Sequence, residues 1–207
     1  MAIKITTSKT DRNLFGCSKW WGFPDLPDSL EFPEVPVDEE YSDPLTFVCQ
    51  IRCSDIADLD KENMLPHEGM LYFFAALDYF LGNLDAECQP GMGEWEAPYF
   101  KVLYSPSCDD LHTHVTVYDD GTPACLPAEQ IDFSACPEGE EGHKLLGKPY
   151  LQEINELYPE YASLLQIDCD DDWDLRFYDC GMLCFLLQAA DIKARHFQYT
   201  RCYLHSF

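Results

Sequence analysis

Two stretches of this chain match each other, and that match narrows the folds open to it. The first is Phe47-Val48-Cys49-Gln50-Ile51-Arg52-Cys53, followed by Gly69-Met70-Leu71-Tyr72-Phe73-Phe74. The second is Leu164-Leu165-Gln166-Ile167-Asp168-Cys169, followed by Gly181-Met182-Leu183-Cys184-Phe185-Leu186. In each, an apolar run closes on Gln-Ile, a cysteine stands two positions on, and a polar loop leads to Gly-Met-Leu and a second apolar run. That second run is apolar at successive positions, as in a strand buried on both faces, although its length also permits a helix. Runs joined by short loops are most simply antiparallel neighbours. Gly147-Lys148-Pro149 repeats the Gly22-Phe23-Pro24 pattern ahead of the second copy.

The expected fold is therefore α+β: a mostly antiparallel sheet with few short helices, internally pseudo-duplicated as two strand-pair halves. One domain over residues 1–207 is expected, with halves at about 14–118 and 119–207. Gly22, Pro24, Gly69 and Gly181 are read as structural punctuation. Gln50 and Gln166 sit inside apolar runs, where an unpaired amide costs roughly 1–3 kcal/mol, so each should bond nearby backbone. The alternative is a ligand site between the halves, lined by both glutamines.

The rest of the chain reads as follows. Residues through Asn13 are polar and look loosely held. Pro24, Pro27, Pro33, Pro36 and Pro44 forbid helix and imply an extended arm whose aromatics pack on the sheet. A short helix after Ser54, strands at 99–104 and 112–118, an acidic loop at 129–142, a helix at 189–195 and a strand at 201–204 complete the expectation.

Thirty-eight acidic against thirteen basic residues give a net charge of −25. Phosphate contacts need a basic surface, so nucleic acid and anionic membranes are excluded as partners, whereas a basic protein would be attracted. Eleven cysteines, an odd number, with an opening that lacks the pattern of an export signal, read as reduced thiols in a cytoplasmic protein. No window is long enough for a membrane-spanning helix.

Candidate chemistry is sparse. Cys108, Cys169 and Cys180 have acidic neighbours that disfavour thiolate, and no Cys-x-x-Cys knuckle occurs, so the cysteines read as small buried hydrophobes. Asp168, Asp170 and Asp172 imitate the start of a calcium loop, which then fails at Trp173, where glycine is needed. His112 and His114 share one face of the expected strand and suggest no metal site. No nucleophile elbow, phosphate loop or dinucleotide fingerprint is found, so no catalytic residue and no cofactor is expected.

With Lys19-x-x-Gly22-x-Pro24, Phe47-x-x-Gln50-Ile51, Leu65-Pro66-x-x-Gly69-x-Leu71-x-Phe73-Phe74, Leu164-Leu165-Gln166-Ile167-Asp168, Gly181-Met182-Leu183-x-Phe185 and Asp191-Ile192-Lys193-Ala194-Arg195 in order, the chain resembles the YwqG-like family. The resemblance runs from about residue 19 to the C-terminal end. It implies an α+β fold with internal pseudo-symmetry, a cytoplasmic setting and no catalytic residues to carry over; proximity of some members to toxin genes implies an immunity role.

The leading expectation is a non-enzymatic module that binds a basic protein through Asp170, Asp171, Asp172, Trp173 and Asp174, with Trp20 and Trp21 as aromatic anchors. The alternative is a metal- or ligand-dependent enzyme with its site where the halves meet.

Overall fold

The structure is a computed structural model that describes residues 1–38, 41–118 and 120–206. In chain order the strands are β1 (Ala2–Lys9), β2 (Lys19–Trp20), β3 (Asp25–Pro27), β4 (Glu34–Pro36), β5 (Ser42–Pro44), β6 (Thr46–Arg52), β7 (Met70–Ala75) and β8 (Gly93–Trp95). They continue as β9 (Phe100–Ser105), β10 (Leu111–Thr113), β11 (Glu129–Cys136), β12 (Lys144–Leu145), β13 (Tyr161–Asp168), β14 (Met182–Gln188) and β15 (Arg201–His205). Three short helices accompany them: α1 (Cys53–Ile56), α2 (Gln152–Leu157) and α3 (Ala189–Ala194).

Eleven strands form one antiparallel sheet in the order β8-β15-β14-β13-β12-β1-β11-β2-β6-β7-β9. Its edge strands, β8 and β9, are joined by a 3-10 turn at Ala97–Tyr99, and the sheet curls into a nearly closed barrel. β3 pairs β10, and β4 pairs β5, as two small ribbons outside it.

Alternation decides what fills the barrel. Leu71, Phe73 and Ala75 of β7 join Leu183, Phe185 and Leu187 of β14 in the principal core. The rings of Phe73 and Phe185 meet edge to face, 5.4 Å apart. The alternate residues also find cover. Met70, Tyr72 and Phe74 pack under the proline-rich arm with Leu26, Val35 and Phe47. Met182, Cys184 and Leu186 pack under Leu151 and the α2 residue Ile154. Both Gly-Met-Leu runs are thus strands buried on two faces.

Three sequence expectations are corrected. The opening residues are not loose: β1 lies in the middle of the sheet, paired with β11 from Ala2–Cys136 to Lys9–Glu129. The expected acidic loop at 129–142 is accordingly strand up to Cys136. Its Ile131 faces the core while Asp132 stays outside, a period-two pattern masked by charge. The strand expected at 112–118 is regular only over Leu111–Thr113, and Asp119, in the turn expected after it, lies outside the described residues.

Candidate functional site

β2 and β12 each end in a sharp left-handed turn. Trp21 and Gly22 have φ of +56° and +73°, and Leu146 and Gly147 have +61° and +77°. A Cβ on Gly22 would lie 2.7 Å from the Ala128 Cβ, so the position needs glycine for space as well as for φ. Just before each turn stands a buried lysine opposite a buried glutamine: Lys19 faces Gln50, and Lys144 faces Gln166.

Both amides are fully employed. Gln50 Oε1 accepts the Asp25 N–H at 2.9 Å, and its Nε2 donates to the Cys17 carbonyl and to Asp25 Oδ2. Gln166 Oε1 accepts the Tyr150 N–H at 2.8 Å and Lys144 Nζ at 3.0 Å, while Nε2 donates to the Glu140 and Gly142 carbonyls. Both amides are spent on the neighbouring loops, Gln50 on residues 17 and 25 and Gln166 on residues 140, 142 and 150.

The two nodes differ in charge balance. Asp25, fully buried, takes Lys19 Nζ at 2.7 Å, the Gly16 N–H at 3.0 Å and Gln50 Nε2 on Oδ2, and the Thr113 hydroxyl at 2.8 Å on Oδ1. Lys144 has no carboxylate in that place; it donates to the Glu140 carbonyl at 2.7 Å and to Gln166. Burial of this ammonium depresses its pKa to about 8.

Open space gathers around Gly22. A cleft of about 620 Å³ lies between the arm, the 76–88 segment and the 116–125 segment. Phe32, Val35, Leu45 and Phe47 give it apolar walls, Asp43, Asp78, Asp85, Glu87 and Asp120 line it, and among the described residues its lining includes no Lys, Arg or His. Desolvation raises the pKa of Asp78, the charge of Asp43 adds to the rise, and the Thr46 hydroxyl, donating at 2.6 Å, opposes it. The Cys88 thiol is pushed up by burial and by Asp43, Glu87 and Asp78, which marks the cleft as a region of negative potential. A second cleft, of about 520 Å³, shares Gly22 and Cys125 with the first. Around Gly147 the corresponding space is about 170 Å³.

The residues expected to face a partner divide. Trp20, Trp21 and Trp173 are buried, which corrects their expected role as surface anchors. Trp20 stacks on Trp173 at 5.4 Å, and the edge of Trp21 meets Trp173 at 5.3 Å. At about 25 cal/mol per Å² and 150–250 Å² per ring, each buried indole contributes roughly 4–6 kcal/mol before entropy, so the core claims these rings. Asp170 is half-buried and held below the usual carboxylate range, first by His143, then by the Asp172 and Trp173 N–H groups. His143 Nδ1 accepts the Asp168 N–H, which places the ring proton on Nε2, 3.5 Å from Asp170. Asp171 is paired with Arg176. Asp172 and Asp174 are exposed. This loop is tied to the turn that begins at Asp78, because the Arg176 N–H donates to the Phe80 carbonyl at 2.9 Å.

Of the expected structural residues, Pro24 lines the acidic cleft and its carbonyl accepts the His114 N–H. Gly69 permits a close approach: a Cβ there would stand 2.0 Å from the Ser105 carbonyl. A Cβ on Gly181 would stand 2.3 Å from the Phe177 carbonyl. His112 lies 3.5 Å from Asp28 at the surface, while His114 stacks on Phe32. Among the described residues, no three of His, Cys, Asp and Glu are grouped to hold a metal ion, and all eleven cysteines are unpaired thiols. Sequence reading missed Asp43, Asp78, Asp85 and Glu87; the absence of Lys and Arg between Lys19 and Arg52 and between Lys61 and Lys101 was the available signal.

Residues 18–205 match the model of a family described as a domain of unknown function, DUF1963. The chain belongs to that family. In this DUF1963 domain both lysine–glutamine nodes and the whole acidic cleft fall inside the match, while β1 and the 10–15 segment of the second cleft precede it. A search of curated proteins found no match. Among the described residues no helix is long and apolar enough to cross a membrane.

Proposed function

We propose that this DUF1963 domain is a YwqG-like, internally duplicated, cytoplasmic binding module whose acidic cleft takes a Lys or Arg side chain of a basic protein partner. The observation that carries the reading is a cleft of about 620 Å³ with apolar walls, lined among the described residues by five acids and no basic residue. An apolar wall suits the methylene stem of a basic side chain, and Asp78 and Asp43 suit its head. Asp172 and Asp174, on the loop tied to the Asp78 turn, extend the acidic field and speed encounter. A cleft that holds a basic side chain of a partner is in keeping with neutralisation of a toxin. The repeated lysine–glutamine nodes and Gly-Met-Leu strands support the duplication.

Calorimetric titration with a hexa-arginine peptide tests this. Asp78→Asn should weaken binding at least about tenfold, since charge-assisted hydrogen bonds are worth ~1.5–3 kcal/mol. Glu153→Gln, which removes one charge from exposed α2, should weaken it less than about twofold. Equal losses for the two variants would reduce the effect to bulk charge and sink the proposal. A cation favours ionised Asp78, so affinity should fall as pH drops through the raised pKa of this group, earlier than for an ordinary carboxylate titrating near about 4.

A further inference from the structure

The second cleft carries the opposite sign. It lies between the 10–15 segment, the 123–128 segment and the Lys19–Asp25 pair, and among the described residues Asp25 is the one acid that lines it. We infer that it is a binding site for a small organic carboxylate with a flat apolar body, held by Arg12 and Lys19.

The argument is an account of donors and acceptors. Asp25 is saturated: four donors occupy its two oxygens, and its own N–H and carbonyl are taken by Gln50 and the Tyr72 hydroxyl. Lys19 is about 5% exposed and donates one hydrogen bond, to Asp25, although an ammonium carries three donors. Arg12 spends one of its five N–H groups on Gln130 Oε1 at 3.1 Å and has no ion-pair partner among the described residues. With Lys19 paired to Asp25, this cleft has the charge of Arg12 and the spare N–H donors of both residues to offer, which suits an occupant that is an acceptor and an anion.

Shape narrows the class. Phe15, Phe23, Leu126 and Pro127 supply apolar wall, and a volume of about 520 Å³ accepts a small ring with its carboxylate. A bare phosphate would leave that wall wet and meet a net charge of −25 with two negative charges instead of one. The planar guanidinium of Arg12 matches a carboxylate bidentately. The site shares a wall with the acidic cleft but uses none of its charged groups, so it stands or falls apart from the proposed function.

The test is titration of the ¹⁵N-labelled full chain with sodium benzoate, inorganic phosphate and benzylamine, followed through amide shifts of Phe15, Gly16 and Lys19. Benzoate should shift these amides saturably, and benzylamine and phosphate should not. Arg12→Gln, on an exposed segment outside the sheet, should weaken benzoate at least about tenfold while the rest of the spectrum stays unchanged. Lys19→Met should abolish binding if it folds; Phe15→Ala, which removes a wall and no charge, should weaken benzoate about threefold or more and serves where Lys19→Met does not fold. Absence of benzoate shifts, equal binding of phosphate or benzylamine, or indifference to both Arg12→Gln and Phe15→Ala would overturn the inference.

Discussion

The surroundings of Gly22 and of Gly147 use the same backbone device and reach different ends. In both, a lysine faces a glutamine across adjacent strands, the chain turns through two left-handed residues, and the glutamine accepts the N–H three residues beyond the glycine. Around Gly147 the outer face of β14 is closed by Leu151 and Ile154, and little space remains. Around Gly22 the outer face of β7 is covered by a proline-rich arm that cannot fold into a helix, and two clefts remain. The residue three beyond the glycine differs too. Asp25 pairs directly with Lys19, whereas Tyr150 gives Lys144 no such partner, and among the described residues only the more distant Glu140 and Asp168 carboxylates act on it. The same turn serves packing beside Gly147 and a pair of clefts beside Gly22.

The sharpest way to break this contrast is to truncate the two matched residues. Asp25→Ala strands a buried ammonium and should cost about 3–5 kcal/mol in urea unfolding. Tyr150→Ala removes a ring that is 43% exposed and leaves the backbone bond to Gln166, so it should cost under about 1 kcal/mol. Equal losses would erase the distinction between the nodes.

The next effect belongs to Lys144. Its folded pKa of about 8 lies below the ordinary 10.5, so between those values the unfolded chain binds more protons. Stability therefore rises with pH across that window, and the penalty is fully present below it. At ~1.4 kcal/mol per unit of pKa difference the relief approaches roughly 3 kcal/mol. Comparison with Lys144→Met removes the opposing effect of the buried thiols Cys49, Cys53 and Cys202, whose raised pKa values lower stability above pH 9 in both proteins. A stability difference between the two proteins that stays flat from pH 8 to 10.5 would contradict an uncompensated lysine.

The smallest effect concerns contact across the barrel. A double-mutant cycle of Phe73→Leu and Phe185→Leu should show a coupling of about 0.5–1.5 kcal/mol from their edge-to-face packing. Coupling near zero would mean that the two Gly-Met-Leu strands merely share a core.

Both Gln-Ile strands, both Gly-Met-Leu strands and α3 were legible because their apolar runs are continuous and bounded by glycine or polar turns. β1 and β11 were not, because each finds its partner far away in sequence, Ala2 opposite Cys136, and their polar alternation resembles loop. Trp20, Trp21 and Trp173 announced aromatic packing without saying on which side of the sheet. Asp25 looked like one acid among many, since its four donors come from residues 16, 19, 50 and 113. The acidic cleft was hidden for the same reason: Phe32, Asp43, Asp78, Glu87 and Asp120 meet only in the fold.

The most direct test maps where a cation lands. Titration of the ¹⁵N-labelled chain with hexa-arginine should shift the amides of Thr46, Asp78 and Tyr118 first and most, leave Gly147 to Tyr150 still, and lose the cleft shifts in Asp78→Asn. Shifts of equal size around Gly147, or a response confined to the 170–174 loop and unaffected by Asp78→Asn, would contradict the proposal that the cleft beside Gly22 takes the cation.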